Sequence, residues 1–102
     1  MKIAIDFDGT IAHRKGIPTE KMDWAKLKPI KGAKLSMKLL LSLGYEVWIF
    51  TSNPQPEYVK TWLKLWNFPE MEVTNIKKPA QVYIDDRAVR FTNWQDIRKY
   101  FS

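Results

Sequence analysis

Four short runs rich in β-branched and aromatic residues limit this chain more than any other feature: KIAIDF (2–7), YEVWIFT (45–51), MEVTNI (71–76) and QVYID (81–85). Each has the length and composition of a strand. Helical periodicity fills the gaps around the second run. From Gly32 onward, Ala33, Met37, Leu40 and Leu41 share one face, Lys31, Lys34 and Lys38 take the opposite one, and Gly44 marks the stop. Val59, Trp62, Leu63 and Trp66 then form an apolar stripe, with Asn53 expected as the cap and Pro54 and Pro56 in the first turn. A last short helix is expected after TNWQ, where Thr92 and Gln95 stand at capping-box spacing. Strand, helix, strand, helix, strand, strand predicts an α/β fold, a three-layer α/β/α sandwich built on a mainly parallel sheet.

The 102 residues suit one domain, read here as residues 1–102, with no repeat, linker or low-complexity segment to divide it. An apolar fraction of 45% with 14% aromatics is enough for a folded core, and most of the five Trp are expected inside it. Residues 9–31, with Gly9, Gly16, Pro18 and Pro29, predict a loop or hairpin excursion with one helical turn. The absence of Cys excludes disulfides, thiolate metal sites and cysteine nucleophiles. No signal-peptide pattern opens the chain and no apolar run approaches membrane length, so a soluble cytoplasmic protein without a membrane partner is expected.

The net charge of +6 conceals an asymmetry. Four of the eleven acids, Asp6, Asp8, Asp85 and Asp86, fall in two tight clusters. Between Arg14 and Lys38, eight basic residues face only Glu20 and Asp23. Acidic clusters on a basic body suit a metal ion together with an anionic ligand. Lysines that merely keep a small protein dispersed explain the same charge more simply.

In parallel sheets ligands gather at the carboxyl ends of the strands. Asp6 and Asp8 end the first run, Thr51 and Ser52 the second, and Asp85 and Asp86 the last, with Lys77 and Lys78 just before that last strand. Groups of several useful kinds therefore converge on one edge.

The residues DFDGT (6–10), the apolar strand ending in Thr51, KKP (77–79) and YIDD (83–86) resemble, in order and spacing, the four motifs of the haloacid dehalogenase-like superfamily, whose members are mostly phosphohydrolases. The tail YIDDRAVRFTNWQDI is similar to that of small bacterial and phage-type members. The resemblance spans nearly the whole chain. It implies a Rossmann-like core without a cap domain, the 9–31 excursion standing in its place, and a Mg²⁺-dependent phosphomonoesterase working through an aspartyl-phosphate. Asp6 would be the nucleophile and Asp8 the acid/base. Asp6, the Asp8 backbone carbonyl and Asp85 would bind Mg²⁺, with Asp86 behind them. Thr51 and the backbone N–H groups of Ser52 and Asn53 would hold phosphoryl oxygens, with Gly9 allowing the sharp turn. The register of the lysine motif favours Lys77 as the active-site cation, while the local KP dipeptide favours Lys78.

An open site of this kind implies a large phosphorylated substrate, a nucleotide or nucleic-acid phosphate, or a homo-oligomer in which a second subunit covers it; a monomer stays open as well. Simpler readings exist for individual residues. Asp6 and Asp8 alone could form a turn, and Thr51 could cap a helix. Arg87 could pair with Asp86, His13 could be a solvated loop residue, and Trp62 with Trp66 could be core rather than a stacking platform for bases. A non-catalytic module binding Mg²⁺ and phosphate is the main functional rival, though mere binding does not require Asp8. A signalling receiver would carry its paired acids on the first strand and its phosphorylated Asp on a middle one. A nucleic-acid-cleaving metal domain would need a Glu ahead of Asp6, and none is there.

Overall fold

A computed structural model describes residues 1–13 and 26–102. Its elements run β1 (Lys2–Asp6), α1 (Ala33–Ser42), β2 (Glu46–Phe50), α2 (Pro56–Leu65), β3 (Glu72–Thr74), β4 (Val82–Ile84) and α3 (Trp94–Phe101). All four expected strands form, β1 shortened by its last residue and the other three trimmed at both ends. They make one sheet in the order β3-β2-β1-β4, and every pair is parallel. Among the described residues the fold is therefore α/β with a four-stranded, all-parallel sheet and three helices. No helix among the described residues is long and apolar enough to cross a membrane.

Period-two alternation divides the sheet into two faces. Ile3 and Ile5 of β1, Val47 and Ile49 of β2 and Val73 of β3 enter one buried cluster with Ala33 and Met37 of α1 and Val59, Trp62 and Leu63 of α2. Both helices thus cover the same face, and the apolar faces read from their periodicity are the buried ones. Trp62 is the hub. Its ring meets Phe7 edge-on at 5.0 Å and lies 5.4 Å from Phe68, and its indole N–H donates to the Leu27 carbonyl at 2.9 Å. The base-stacking reading of Trp62 fails for that reason.

Ala4 and Trp48 point to the other face and are also buried. Trp48 is roofed by the crossover between β3 and β4: the Lys78 ammonium sits 4.5 Å from the centre of its ring and pairs with Glu72. The Tyr83 hydroxyl donates to the Lys78 carbonyl at 2.7 Å, tying that crossover to β4.

Gly44 ends α1 in a left-handed conformation (φ 85°), which a residue without Cβ adopts at little cost. Two helix starts differ from expectation. The N-cap of α2 is Gln55, not Asn53, and only Pro56 lies in the first turn. The Asn53 side chain instead accepts the Gln55 N–H at 2.9 Å, closing a turn ahead of the helix. At α3 the capping pair is one residue later than Thr92 and Gln95. Asn93 accepts the Asp96 N–H at 2.9 Å, and Asp96 in turn accepts from Thr92 and from the Asn93 amide. Trp94 also departs from the expectation of buried tryptophans, being 68% exposed.

The two ends of the 9–31 excursion run antiparallel. The His13 N–H donates to the Lys28 carbonyl at 2.9 Å and the Ile30 N–H to the Ile11 carbonyl at 2.7 Å. Three of the excursion's six lysines and arginines, Arg14, Lys15 and Lys21, and the middle of the segment in which a helical turn is expected lie in 14–25, outside the described residues.

Candidate metal centre

The strand order reverses beside β1. β2 and β3 succeed one another on one side, and β4 joins on the other. In open parallel sheets such a reversal leaves a crevice beyond the carboxyl ends, where ligands bind. Asp6 is the last residue of β1, and Asp85 and Asp86 directly follow β4. The register pairs Ile5 with Ile84, which brings the two strand ends level. One carboxylate oxygen from each of Asp6, Asp85 and Asp86 lies within 4.8 Å of the others.

Such crowding has an electrostatic consequence. Burial, then the Asp85 charge and a hydrogen bond with Asp86, push the Asp6 carboxyl up from its usual 3.8 to about 7, against an opposing hydrogen bond from the Phe7 backbone. Without a cation, Asp6 is half-protonated near neutrality. Three oxygen donors this close form a hard, anionic donor set of the kind that suits Mg²⁺ or Ca²⁺. A divalent cation placed there would displace the shared proton and relieve the repulsion.

The loop after β1 fixes this geometry. The Thr10, Ile11 and Ala12 N–H groups converge on the Phe7 carbonyl at 3.2, 2.9 and 3.1 Å, and the Gly9 N–H closes on the Ala12 carbonyl at 2.9 Å. Phe7 is fully buried against Trp62, so the loop is anchored in the core. Gly9 has φ 80°, and a Cβ built on it would collide with Asp86 Oδ2. Gly9 thus serves two purposes: it makes the turn, and it leaves the space that the Asp86 carboxylate fills. Only the first was legible in the sequence.

Asp8 is half-buried and its carboxylate lies outside the trio. Asp85 accepts the Arg87 N–H at 2.7 Å, and the Arg87 guanidinium approaches Asp86 at 3.9 Å, the ion pair weighed from the sequence. Asp86 stands level with Asp85 in the trio rather than behind it. Thr51 is fully buried. Its N–H donates to the Thr74 carbonyl at 3.0 Å, and its hydroxyl oxygen accepts the Asn53 N–H at 3.2 Å. That N–H, expected to face a phosphoryl group, is therefore engaged within the chain, and α2 begins three residues beyond it. Ser52 is exposed.

The two lysines differ. Lys78 is held by Glu72 and Trp48, whereas Lys77 rests 5.1 Å from the Tyr83 ring centre. Among the described residues neither pairs with the carboxylates of Asp6, Asp85 or Asp86. Thr10 received no role from the sequence, yet its hydroxyl is buried without a hydrogen-bond partner among the described residues, one position beyond Gly9. Asn75 also escaped notice. Its amide donates to the Asn53 carbonyl at 3.4 Å and braces the turn after β2; its place directly after the third strand was the available signal. His13 is exposed, as a loop residue should be.

Comparison of the chain with protein-family models, with curated proteins and with solved structures returns no match, so the reading of this site rests on its own residues.

Proposed function

We propose that this chain is a Mg²⁺-dependent phosphomonoesterase that works through an aspartyl-phosphate on Asp6. The observation that carries the reading is the convergence of Asp6, Asp85 and Asp86 at the reversal of a parallel sheet, with Gly9 shaped to admit Asp86. Mg²⁺ held by these carboxylates and the Asp8 carbonyl would supply the positive charge that lets an anionic nucleophile meet an anionic phosphate.

The remaining chemistry belongs to the chain. An Asp6 carboxylate oxygen bonds to phosphorus as the bond to the ester oxygen breaks, and the Asp8 carboxyl gives its proton to that leaving oxygen. Asp8, now a carboxylate, takes a proton from water as the water attacks phosphorus. The bond from Asp6 to phosphorus then breaks, inorganic phosphate leaves, and both acids return to their starting states. Lys77, free of the Glu72 and Trp48 contacts that hold Lys78, is the better candidate to balance charge on the transferring group. The Thr51 hydroxyl proton and the Ser52 N–H remain candidates to donate to the phosphoryl oxygens.

The architecture belongs to the same proposal: a capless core derived from a three-layer sandwich, with α1 and α2 on one face and the Lys78 crossover on the other. Lys28 and Lys31 at the end of the excursion and Lys34 just beyond it favour a nucleotide or nucleic-acid phosphate as substrate. A second reading, a binding module without turnover, is favoured by the mutual bond of Thr51 and Asn53 and by the commitment of Lys78 to Glu72, which leave fewer donors for a transferring phosphate.

Phosphate release separates the two. Wild type and Asp6→Asn would be assayed with Mg²⁺ on p-nitrophenyl phosphate, nucleotides, sugar phosphates and end-phosphorylated oligonucleotides. Release abolished by EDTA and by Asp6→Asn is the expected result. No release from any compound by the metal-replete wild type, with Mg²⁺ binding intact, would replace the phosphatase with the binding module.

A further inference from the structure

Arg87 is tied at both ends to the candidate metal site. Its backbone N–H donates to Asp85 Oδ1 at 2.7 Å, and its guanidinium Nε stands 3.9 Å from Asp86 Oδ2. Two of the three carboxylates therefore fix where its side chain starts and what it faces. Among the described residues no other lysine or arginine pairs with Asp6, Asp85 or Asp86.

The pairing is loose. At 3.9 Å it lies beyond hydrogen-bond length, and the Arg87 side chain is 91% exposed. An ion pair so exposed contributes little to stability, so the fold does not explain why an arginine stands here. The guanidinium makes no hydrogen bond among the described residues, which leaves its planar fork of donors available. That fork matches two oxygens of a phosphate, a geometry no lysine reproduces.

The site also needs such a group. Three carboxylates and a dianionic phosphate outweigh one divalent cation, so a phosphate here calls for further positive charge beside it. Lys78 is committed to Glu72 and Trp48, Lys77 rests on the Tyr83 ring, and the Asn53 N–H is taken by Thr51. Arg87 already stands at the rim.

We propose that Arg87 is a substrate-binding residue: when a divalent cation neutralises Asp86, the guanidinium turns from that carboxylate to two oxygens of the bound phosphate. The inference rests on the phosphatase reading for the identity of the ligand and assigns a residue that this reading leaves out. It has a consequence of opposite signs. In the metal-free chain the Arg87 charge competes with a cation for Asp86, whereas with the cation in place both act on phosphate. Loss of Arg87 should therefore weaken phosphate and spare Mg²⁺, while loss of a metal ligand should weaken both.

Inorganic phosphate, the product of the proposed reaction, is the probe. Its dissociation constant is read by ³¹P NMR on the whole chain saturated with Mg²⁺ at about pH 8, and that of Mg²⁺ by calorimetry on the metal-free chain. Arg87→Ala should raise the phosphate constant about tenfold or more, the loss of a charge-assisted bond. Its Mg²⁺ affinity should equal or exceed that of the wild type, and its melting temperature should hold. Arg87→Lys should recover only part of the loss. Arg87→Gln, which keeps the stem without the charge, carries the test if the alanine variant melts early. Arg90→Ala, at an exposed arginine of the same segment, should change the phosphate constant by less than about twofold.

An unchanged phosphate constant in Arg87→Ala, an equal loss in Arg90→Ala, or a parallel loss of Mg²⁺ affinity in Arg87→Ala overturns the inference. So does a Mg²⁺-loaded wild type that takes no phosphate. Its failure differs from that of the phosphatase reading. Phosphate release that needs Asp6 but is indifferent to Arg87 removes this residue alone, whereas Arg87-dependent phosphate binding without release keeps the residue and removes the phosphatase.

Discussion

The two halves of the sheet are built differently. β1 and β2 are sealed on both sides, by α1 and α2 over Ile3, Ile5, Val47 and Ile49 and by the Lys78 crossover over Trp48. Among the described residues β4 pairs only with β1, its residues are exposed on both faces, and the helix that follows it packs on none of the other named elements. The candidate metal site straddles this divide. Asp6 comes from the sealed half, where burial raises its proton affinity, and Asp85 and Asp86 come from the open half, where water screens them. One site therefore combines a rigidly placed nucleophile candidate with carboxylates that reach it across a single strand pair. Substitutions on the sealed side should be read in stability, and those on the open side in metal binding.

The largest effect should come from the sealed half. Trp62→Ala removes the hub of the core and should cost about 3–5 kcal/mol, a fall in melting temperature of about 15 °C or more. Trp94→Ala, at an exposed ring, should stay within about 0.5 kcal/mol of wild type. Comparable losses at the two tryptophans would break the contrast between the halves.

Gly9→Ala probes the seam. The left-handed backbone at Gly9 should cost about 1–2 kcal/mol with any other residue, and the new methyl must push Asp86 out of the trio. Thermal melts should register the first part, and the gain in melting temperature on adding Mg²⁺ should shrink or vanish.

The pH dependence should be smaller. Asp6 holds its proton to about pH 7 when folded but loses it near 3.8 when unfolded. Its contribution to stability is thus present below about pH 4 and is lost as pH rises from there through 7. After allowance for solvent screening of a half-buried group, the metal-free chain should lose roughly 1 kcal/mol across that window. Asp6→Asn should flatten this part of the profile, and saturating Mg²⁺ should reverse its slope.

The smallest effect belongs to the α3 cap. Asn93→Ala should reduce far-UV helicity slightly and leave the main unfolding transition in place, because α3 packs against none of the other named elements.

Much of this could be read directly from the residues. Alternation and β-branching identified all four strands, and three-four spacing identified the buried sides of α1 and α2, because both patterns report burial directly. The acids at the ends of the first and last strands came together because parallel strands must present the same end. What escaped depended on contacts between distant segments. The delayed start of α2 reflects Asn53 bonding to Gln55 instead of to the helix. Lys78 became part of the roof over Trp48, a residue 30 positions away, and Gly9 proved to border Asp86. The exposure of Trp94 is invisible in a stripe that looks like a core-facing helix, since periodicity identifies an apolar side but not what covers it.

The central claim is that Asp6, Asp85 and Asp86 form one divalent-cation site at the seam between the two halves. Calorimetric titration of Mg²⁺ into the wild type, Asp6→Asn and Asp85→Asn at about pH 8, where Asp6 is ionised, tests it most directly. A single site in the wild type, weakened at least about tenfold by either substitution, is the predicted result. Absence of binding in the folded wild type, or binding unchanged by both substitutions, would contradict it.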